Sequence, residues 1–336
     1  MDWINVWNQS RTVARTRSYA LLIVCLWGAG AFAQDGGAEE HAEIDVLPVQ
    51  GNVYMLIGAD GNVSVQVGEE GVLIVDTLRE ELSDRLLAAI RELSGGPIRY
   101  VISTHAHADN TGGNATIAQA GSNIAGGNVL GAIADAGETA KIIAHENVLI
   151  TMSVAETPLP FEAWPTDTYF TDRKEVFFNG EAVQVLHQPA AHTNGDSIVF
   201  FRRSDVISTG DIFLTTRYPY IDRENGGSFQ GIIDALNRII DLTVPADRQE
   251  GGTMVIPGRG RLCDEADVVE YRDMLTIIRD RIRYLVEQGA SLRDVLDAGP
   301  TLDYDGRYGT DSGFWTTEQF ITAIYEEMSQ IRRGWN

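Results

Sequence analysis

Apolar positions along this chain fall into two runs of short strands, each followed by helical periods. Ile44-Asp45-Val46-Leu47, Val53-Tyr54-Met55-Leu56-Ile57, Val63-Ser64-Val65-Gln66-Val67 and Val72-Leu73-Ile74-Val75 are rich in β-branched residues and separated by Gly or Asn-Gly. That punctuation predicts a meander of antiparallel strands. Residues 79–93 then place Leu82, Leu86, Leu87, Ile90 and Leu93 on one face of a helix. Residues 98–103 and 141–144 read as further strands, and the second half repeats the theme at 175–178, 182–186, 198–201, 206–209 and 253–256. Helical periods follow at 229–240, capped by Ser228, then at 264–288, 291–296 and 317–331. Two strand-rich halves with helices after each predict an α/β chain: two sheets face to face, helices outside, a four-layer αββα sandwich with a C-terminal helical extension.

Two stretches break the pattern. Residues 121–137 are rich in Gly, Ala and Asn and read as an insertion. Pro158-Leu159-Pro160-Phe161 with Trp164-Pro165 concentrates three prolines in eight residues, which removes backbone donors and predicts an irregular aromatic loop. Such a loop would roof a cleft or pack its apolar side chains onto the body.

The first 33 residues carry Arg11, Arg15 and Arg17, then the apolar run 19–27, then small residues ending Ala31-Phe32-Ala33. A basic start, a short apolar stretch and an A-x-A site predict a secretory signal peptide over residues 1–33, and the run is too short for the ~20 residues of a spanning helix. The expected organisation is a leader, a domain over 34–262, and helices over 263–336 packed on it. Secreted or periplasmic localisation follows, with no membrane attachment after cleavage. The net charge of −22 becomes −24 without the leader's three Arg and one Asp, which argues against nucleic acid or an anionic membrane as partner and leaves a small-molecule substrate. Of two cysteines, only Cys263 lies outside the leader, so no disulfide framework supports the fold.

Candidate chemistry sits where the strand at 98–103 ends, in Thr104-His105-Ala106-His107-Ala108-Asp109-Asn110-Thr111-Gly112-Gly113-Asn114. Residues two apart in extended chain face the same way, so His105 and His107 point into one cavity with Asp109 following. Two imidazoles and a carboxylate suit Zn²⁺ or a similar borderline cation. Asn110 or Thr111 is placed to cap a helix beyond them. His145 and His187, each at a strand end, read more naturally as hydrogen-bonded structural histidines than as ligands.

The stretch resembles the HxHxDH signature of the metallo-β-lactamase superfamily, which includes class B β-lactamases, glyoxalase II-type thioesterases, lactonases and persulfide dioxygenases. The resemblance covers roughly residues 44–262 and implies the αββα fold, with Asp76 supporting the histidine loop. Ala191-His192-Thr193-Asn194-Gly195-Asp196-Ser197 is similar to the family's G-H-T-x-G-D-S turn and implies His192 as the third imidazole. Thr209-Gly210-Asp211 looks like the family's bridging aspartate. Val255-Ile256-Pro257-Gly258-Arg259-Gly260 matches an apolar-P-G-H-G stretch except at Arg259, where the family has a metal-binding His. Asn110 likewise stands where many relatives have a second-site His. A guanidinium has no lone pair to donate, so Arg259 cannot ligate.

The expected site therefore holds one Zn²⁺, with iron as the alternative. His105, His107 and His192 are its ligands, Asp211 and Asp109 complete the set, and Arg259 takes the second metal's place. Asp109, Asp211 and Arg259 are the catalytic candidates. Tyr218, Tyr220 and Asp222 are expected to shape the cleft. The implied function is an exported metal-dependent hydrolase whose metal-bound hydroxide attacks an acyl bond of a β-lactam, lactone, thioester or ester. The alternatives are a mononuclear iron oxygenase of the persulfide-dioxygenase type and a noncatalytic binding protein of the same fold.

Overall fold

The first sheet grows from the predicted meander. In the computed structural model, which describes residues 43–122 and 139–334, β1 (Asp45–Gln50), β2 (Val53–Ile57), β3 (Asn62–Gly68) and β4 (Gly71–Val75) pair antiparallel in chain order. The expected leader and most of the 121–137 stretch lie outside the described residues. Pro48 is tolerated in β1 because that strand is the sheet edge, where a missing donor costs no ladder bond. Helix α1 (Ser83–Leu93) then carries the chain across one face of the sheet, so β5 (Ile98–Ile102) returns parallel to β4. After α2 (Ala108–Thr111) and α3 (Asn114–Gln119), β6 (Lys141–His145) and, beyond α4 (Glu146–Val154), the three-residue β7 (Asp167–Tyr169) extend the parallel part.

The second sheet runs β12-β11-β10-β9-β8. β8 (Arg173–Phe178), β9 (Glu181–His187), β10 (Ser197–Phe201) and β11 (Val206–Ser208) are antiparallel. Helix α5 (Phe229–Leu242) crosses over, so β12 (Met254–Ile256) lies parallel to β11. The extension follows as α6 (Glu265–Glu287), α7 (Leu292–Ala298), α8 (Asp305–Tyr308) and α9 (Thr317–Gly334).

Alternation along the strands sorts the apolar residues into three layers of core. Met55, Val75, Ile102 and Ile143 of the first sheet meet Val183, Val199, Phe201 and Ile256 of the second. Leu86 and Ile90 of α1 and Ile117 of α3 cover the first sheet's outer face. Ile232 and Leu236 of α5, Leu275 and Ile278 of α6 and Phe320 of α9 cover the second. Each fully buried side chain of this size contributes roughly 1.5–3 kcal/mol. The layers are αββα, and the C-terminal helices form part of the outer wall. Among the described residues no helix is long and apolar enough to cross a membrane.

Candidate metal centre

Parallel pairing is what gathers the site. β4 and β5 end side by side, as do β11 and β12, so the segments leaving them, at Asp76, His105, Asp211 and Arg259, converge at one end of the sandwich. The β9–β10 connection adds His192 from above. Thr104 stitches these together: its N–H and hydroxyl both donate to the Asp76 carboxylate at 2.8 Å, and its carbonyl accepts from Ser197 N. Burial pushes Asp76 up to about 8 against those two bonds. Asp76 and Leu78 hold positive φ of 63° and 59°, conformations that non-glycine residues adopt at a cost and that only surrounding contacts sustain. Gly210 fits for a related reason: it has φ +51°, and a Cβ there would lie 2.5 Å from Thr104 Oγ1.

His105, His107 and His192 meet with one nitrogen each, all three within 4.8 Å of one another. His105 and His192 are buried. The outer nitrogens are tied. His107 Nε2 pairs with Asp222 Oδ2 at 2.8 Å, His192 Nδ1 donates to the Tyr220 carbonyl at 2.7 Å, and His105 Nδ1 lies 3.0 Å from Thr104 Oγ1. Thr104 Oγ1 already donates to Asp76, so it accepts from His105. These partners fix the tautomers and leave His105 Nε2, His107 Nδ1 and His192 Nε2 as inward acceptors. His107 Nδ1 and His192 Nε2 stand 2.9 Å apart. Two lone pairs that close require a proton or a cation between them, so the donor set fits a borderline divalent ion.

Electrostatics agree. Burial, then the neighbouring imidazoles, push His105 well down, and burial with His107 brings His192 to about 4. Both are neutral, as a ligand must be. Burial also opposes a charge on His107, yet the bond to Asp222 outweighs it and the net direction is up. Hydrogen bonds from His107 and Asn225 hold the Asp222 carboxyl well below the usual range despite burial.

Beside the histidines lies a cleft of ≈ 830 Å³ bordered by charged side chains. Arg259 Nη2 donates to Asp109 Oδ2, and its Nε lies 3.8 Å from Asp211 Oδ2. Arg217 Nη2 lies 3.8 Å from the same Asp211 oxygen. The structure thus sets Asp109, Asp211 and Arg259 together, next to the imidazoles, and adds Arg217, which no sequence pattern marked because it sits in an irregular loop. Burial, then Arg259, pushes Arg217 down. Asp222, expected to shape the cleft, instead anchors His107, and Tyr220 both lines the cleft and supplies the carbonyl that holds His192.

Several expectations need correction. Tyr218 does not face the cleft; it is buried, stacks on Phe320 at 4.5 Å and donates to Asp305 at 2.9 Å. Neither Asn110 nor Thr111 caps a helix. Asn110 Nδ2 reaches His105 Nε2 at 3.3 Å, and the Thr111 hydroxyl donates back to the His107 carbonyl at 3.0 Å. Of the two roles expected for the proline-rich loop, packing onto the body holds: Trp164 packs against α4 and its Nε1 donates to the Leu159 carbonyl, while Leu159 also lines the cleft. The opposite wall comes from the C-terminal extension: Phe314 lines the cleft against Tyr220, and Trp315 Nε1 donates to the Pro219 carbonyl.

Comparison with known proteins places this geometry. No curated protein sequence matches the chain. The stereoselective inverting sec-alkylsulfatase Pisa1 from Pseudomonas sp. is similar in structure, with a TM-score of 0.61 at 14% identity over 85% of this chain and 50% of that one. The chain therefore spans about half the length of the alkylsulfatase. A metallo-beta-lactamase from Pontibacter korlensis is similar with a TM-score of 0.51 at 15% identity, over 70% of this chain and 99% of that one. These likenesses speak to the fold. Residues 56–247 match the Lactamase_B family, the metallo-beta-lactamase superfamily, and the chain belongs to that superfamily.

Proposed function

We propose that this chain is an exported metal-dependent hydrolase that holds one divalent cation, Zn²⁺ before iron, and opens an acyl bond in a small molecule. The observation that carries the reading is the convergence of three imidazole nitrogens whose outer nitrogens are each tied to a different partner. A cation held there supplies Lewis acidity and lowers the pKa of a water from about 16 to ~7.

The chain's own residues supply the rest. Asp109, held in place by Arg259, accepts a hydrogen bond from the attacking water and aims it at the carbonyl carbon. Asp211, which also borders the cleft, keeps its Oδ1 buried and without a hydrogen-bond partner. Leu159, Tyr220 and Phe314 give the otherwise charged cleft an apolar flank against which a substrate's body can lie. Export rests on the leader-like residues 1–33, and an acidic surface favours small molecules over nucleic acid.

The test is a hydrolysis panel on purified protein: a chromogenic cephalosporin, a lactone, a thioester and an ester. A secondary alkyl sulfate runs alongside because the similar structure bears an alkylsulfatase name. The expected outcome is turnover of at least one acyl substrate that a chelator abolishes and Zn²⁺ restores. Turnover indifferent to chelation, or none on any acyl substrate, overturns the reading. Oxygen uptake by iron-loaded protein would support the oxygenase alternative instead.

A further inference from the structure

Asp109 and Asp211 both border the cleft beside the three imidazoles. Two carboxylates so placed are a natural cation site, yet a guanidinium already lies between them. Arg259 donates from Nη2 to Asp109 Oδ2 and brings Nε to 3.8 Å from Asp211 Oδ2. Arg217 approaches the same Asp211 oxygen to 3.8 Å. Two carboxylates thus face two guanidinium groups, and the group is neutral.

The arrangement is fixed from behind. Arg259 pairs with Leu214 as an isolated parallel bridge, and its carbonyl accepts from Thr215 N at 3.1 Å. Asn62 Nδ2 donates to the carbonyls of Pro257 and Gly260, on either side of Arg259. A Cβ on Gly258 would meet Asp211 Oδ1 at 2.4 Å, so the glycine lets backbone and carboxylate approach closely. The Arg259 side chain is only 16% exposed. A cation entering between the aspartates would have to evict it and leave a buried guanidinium unpaired. Nor can the guanidinium lose its proton to become a ligand.

We propose that Arg259, backed by Arg217, is a built-in positive charge occupying the cation position between Asp109 and Asp211, so that the cleft admits one divalent cation and not two. This rests on the reading of His105, His107 and His192 as the cation site. Arg259 is a positioning residue in this role: it holds the Asp109 carboxylate oriented without competing for the imidazoles.

Metal counting tests it without reference to activity. The full chain is dialysed against buffered free Zn²⁺, raised stepwise, and zinc per chain is measured by plasma mass spectrometry, with circular dichroism to verify folding. Wild type and Arg259→Lys, which keeps a proton-bearing cation, should stay at one equivalent. Arg217→Gln/Arg259→His should rise toward two, because a histidine and two freed carboxylates then face one point; Arg259→His alone serves if the double variant does not fold. Two equivalents in wild type, or one in a folded histidine variant at saturating zinc, overturns the proposal. None in wild type instead overturns the three-histidine reading on which it rests.

Discussion

His105, His107 and His192 meet edge to face, with ring centroids 4.8 to 4.9 Å apart. His145 and His187, at the ends of β6 and β9, lie face to face with centroids 3.6 Å apart and planes 5° from parallel. The two groups hold five of the chain's six histidines, and their difference shows what lets imidazoles converge on one point. Ring lone pairs lie in the ring plane, so stacked rings cannot aim theirs at a shared point, whereas perpendicular rings can. The hydrogen bonds differ as well. In the trio the backbone and carboxylate or hydroxyl partners take the outer nitrogens, and the inner ones face one another, with Asn110 Nδ2 at 3.3 Å from His105 Nε2. In the pair, His145 Nδ1 accepts from Asn147 N at 3.3 Å, and His187 Nε2 is engaged with the Asn194 carbonyl at 2.9 Å. Among the described residues only the trio forms a cluster able to hold an ion.

The contrast is broken most directly by removing one ring from each group. His192→Ala should weaken zinc binding by more than the ~100-fold that marks the upper end of effects from outer partners. His145→Phe should leave it within about twofold, since that ring touches no inward nitrogen of the trio. Competition with a chromophoric chelator measures both. Comparable losses in the two variants would mean that ring orientation is the wrong basis for separating the groups.

Next in size is the outer partner itself. Asp222→Asn removes the carboxylate that holds His107 in its tautomer, and ~10- to 100-fold weaker metal binding is expected. The same substitution loosens the Asn225 turn, because Asn225 N and Nδ2 both donate to Asp222. A neighbouring variant, Asn225→Ala, separates the two effects. If Asn225→Ala weakens metal binding as much as Asp222→Asn does, the turn rather than the charge sets the site.

How far the site could be read from residues alone follows the range over which each signal acts. A period of two turns His105 and His107 the same way within a single strand exit, so that pair is legible locally. His192 is legible only through a turn that resembles a family's, because nothing in the spacing from 107 to 192 encodes a contact. Arg259 stands out as a departure from an expected residue. Arg217 carries no such mark: it lies in an aperiodic loop, and its importance comes from where Asp211 and Arg259 happen to be. Tyr218 misleads for the same reason, since loop residues 218 and 220, separated by Pro219, point to opposite sides, one under the C-terminal helices and one into the cleft. In the fold, the meander is punctuated by glycines and therefore visible. β7 is three residues long and follows a proline, so pairing with β6 rather than local preference makes it a strand.

The smallest expected effect concerns the stacked pair and its pH dependence. Burial, then the neighbouring His187, lowers His145 from 6.5 to about 4. The sign follows from which state takes the proton. Above pH 6.5 neither folded nor unfolded His145 is charged, and stability is unaffected. As pH falls below 6.5 the unfolded chain binds a proton that the folded ring refuses, so stability declines until the folded pKa is reached. At about 1.4 kcal/mol per unit, the loss between pH near 6.5 and pH near 5 is roughly 1–2 kcal/mol. His145→Phe keeps an aromatic face for the stack and removes the titration. Urea unfolding of metal-free protein near pH 7 and near pH 5 should therefore show a shallower decline in the variant than in wild type. The buried trio has its own proton linkage, but it is common to both proteins and cancels in the difference between them. Parallel declines would show that the stack carries no proton linkage of its own, and that the two histidine groups differ in geometry but not in charge behaviour.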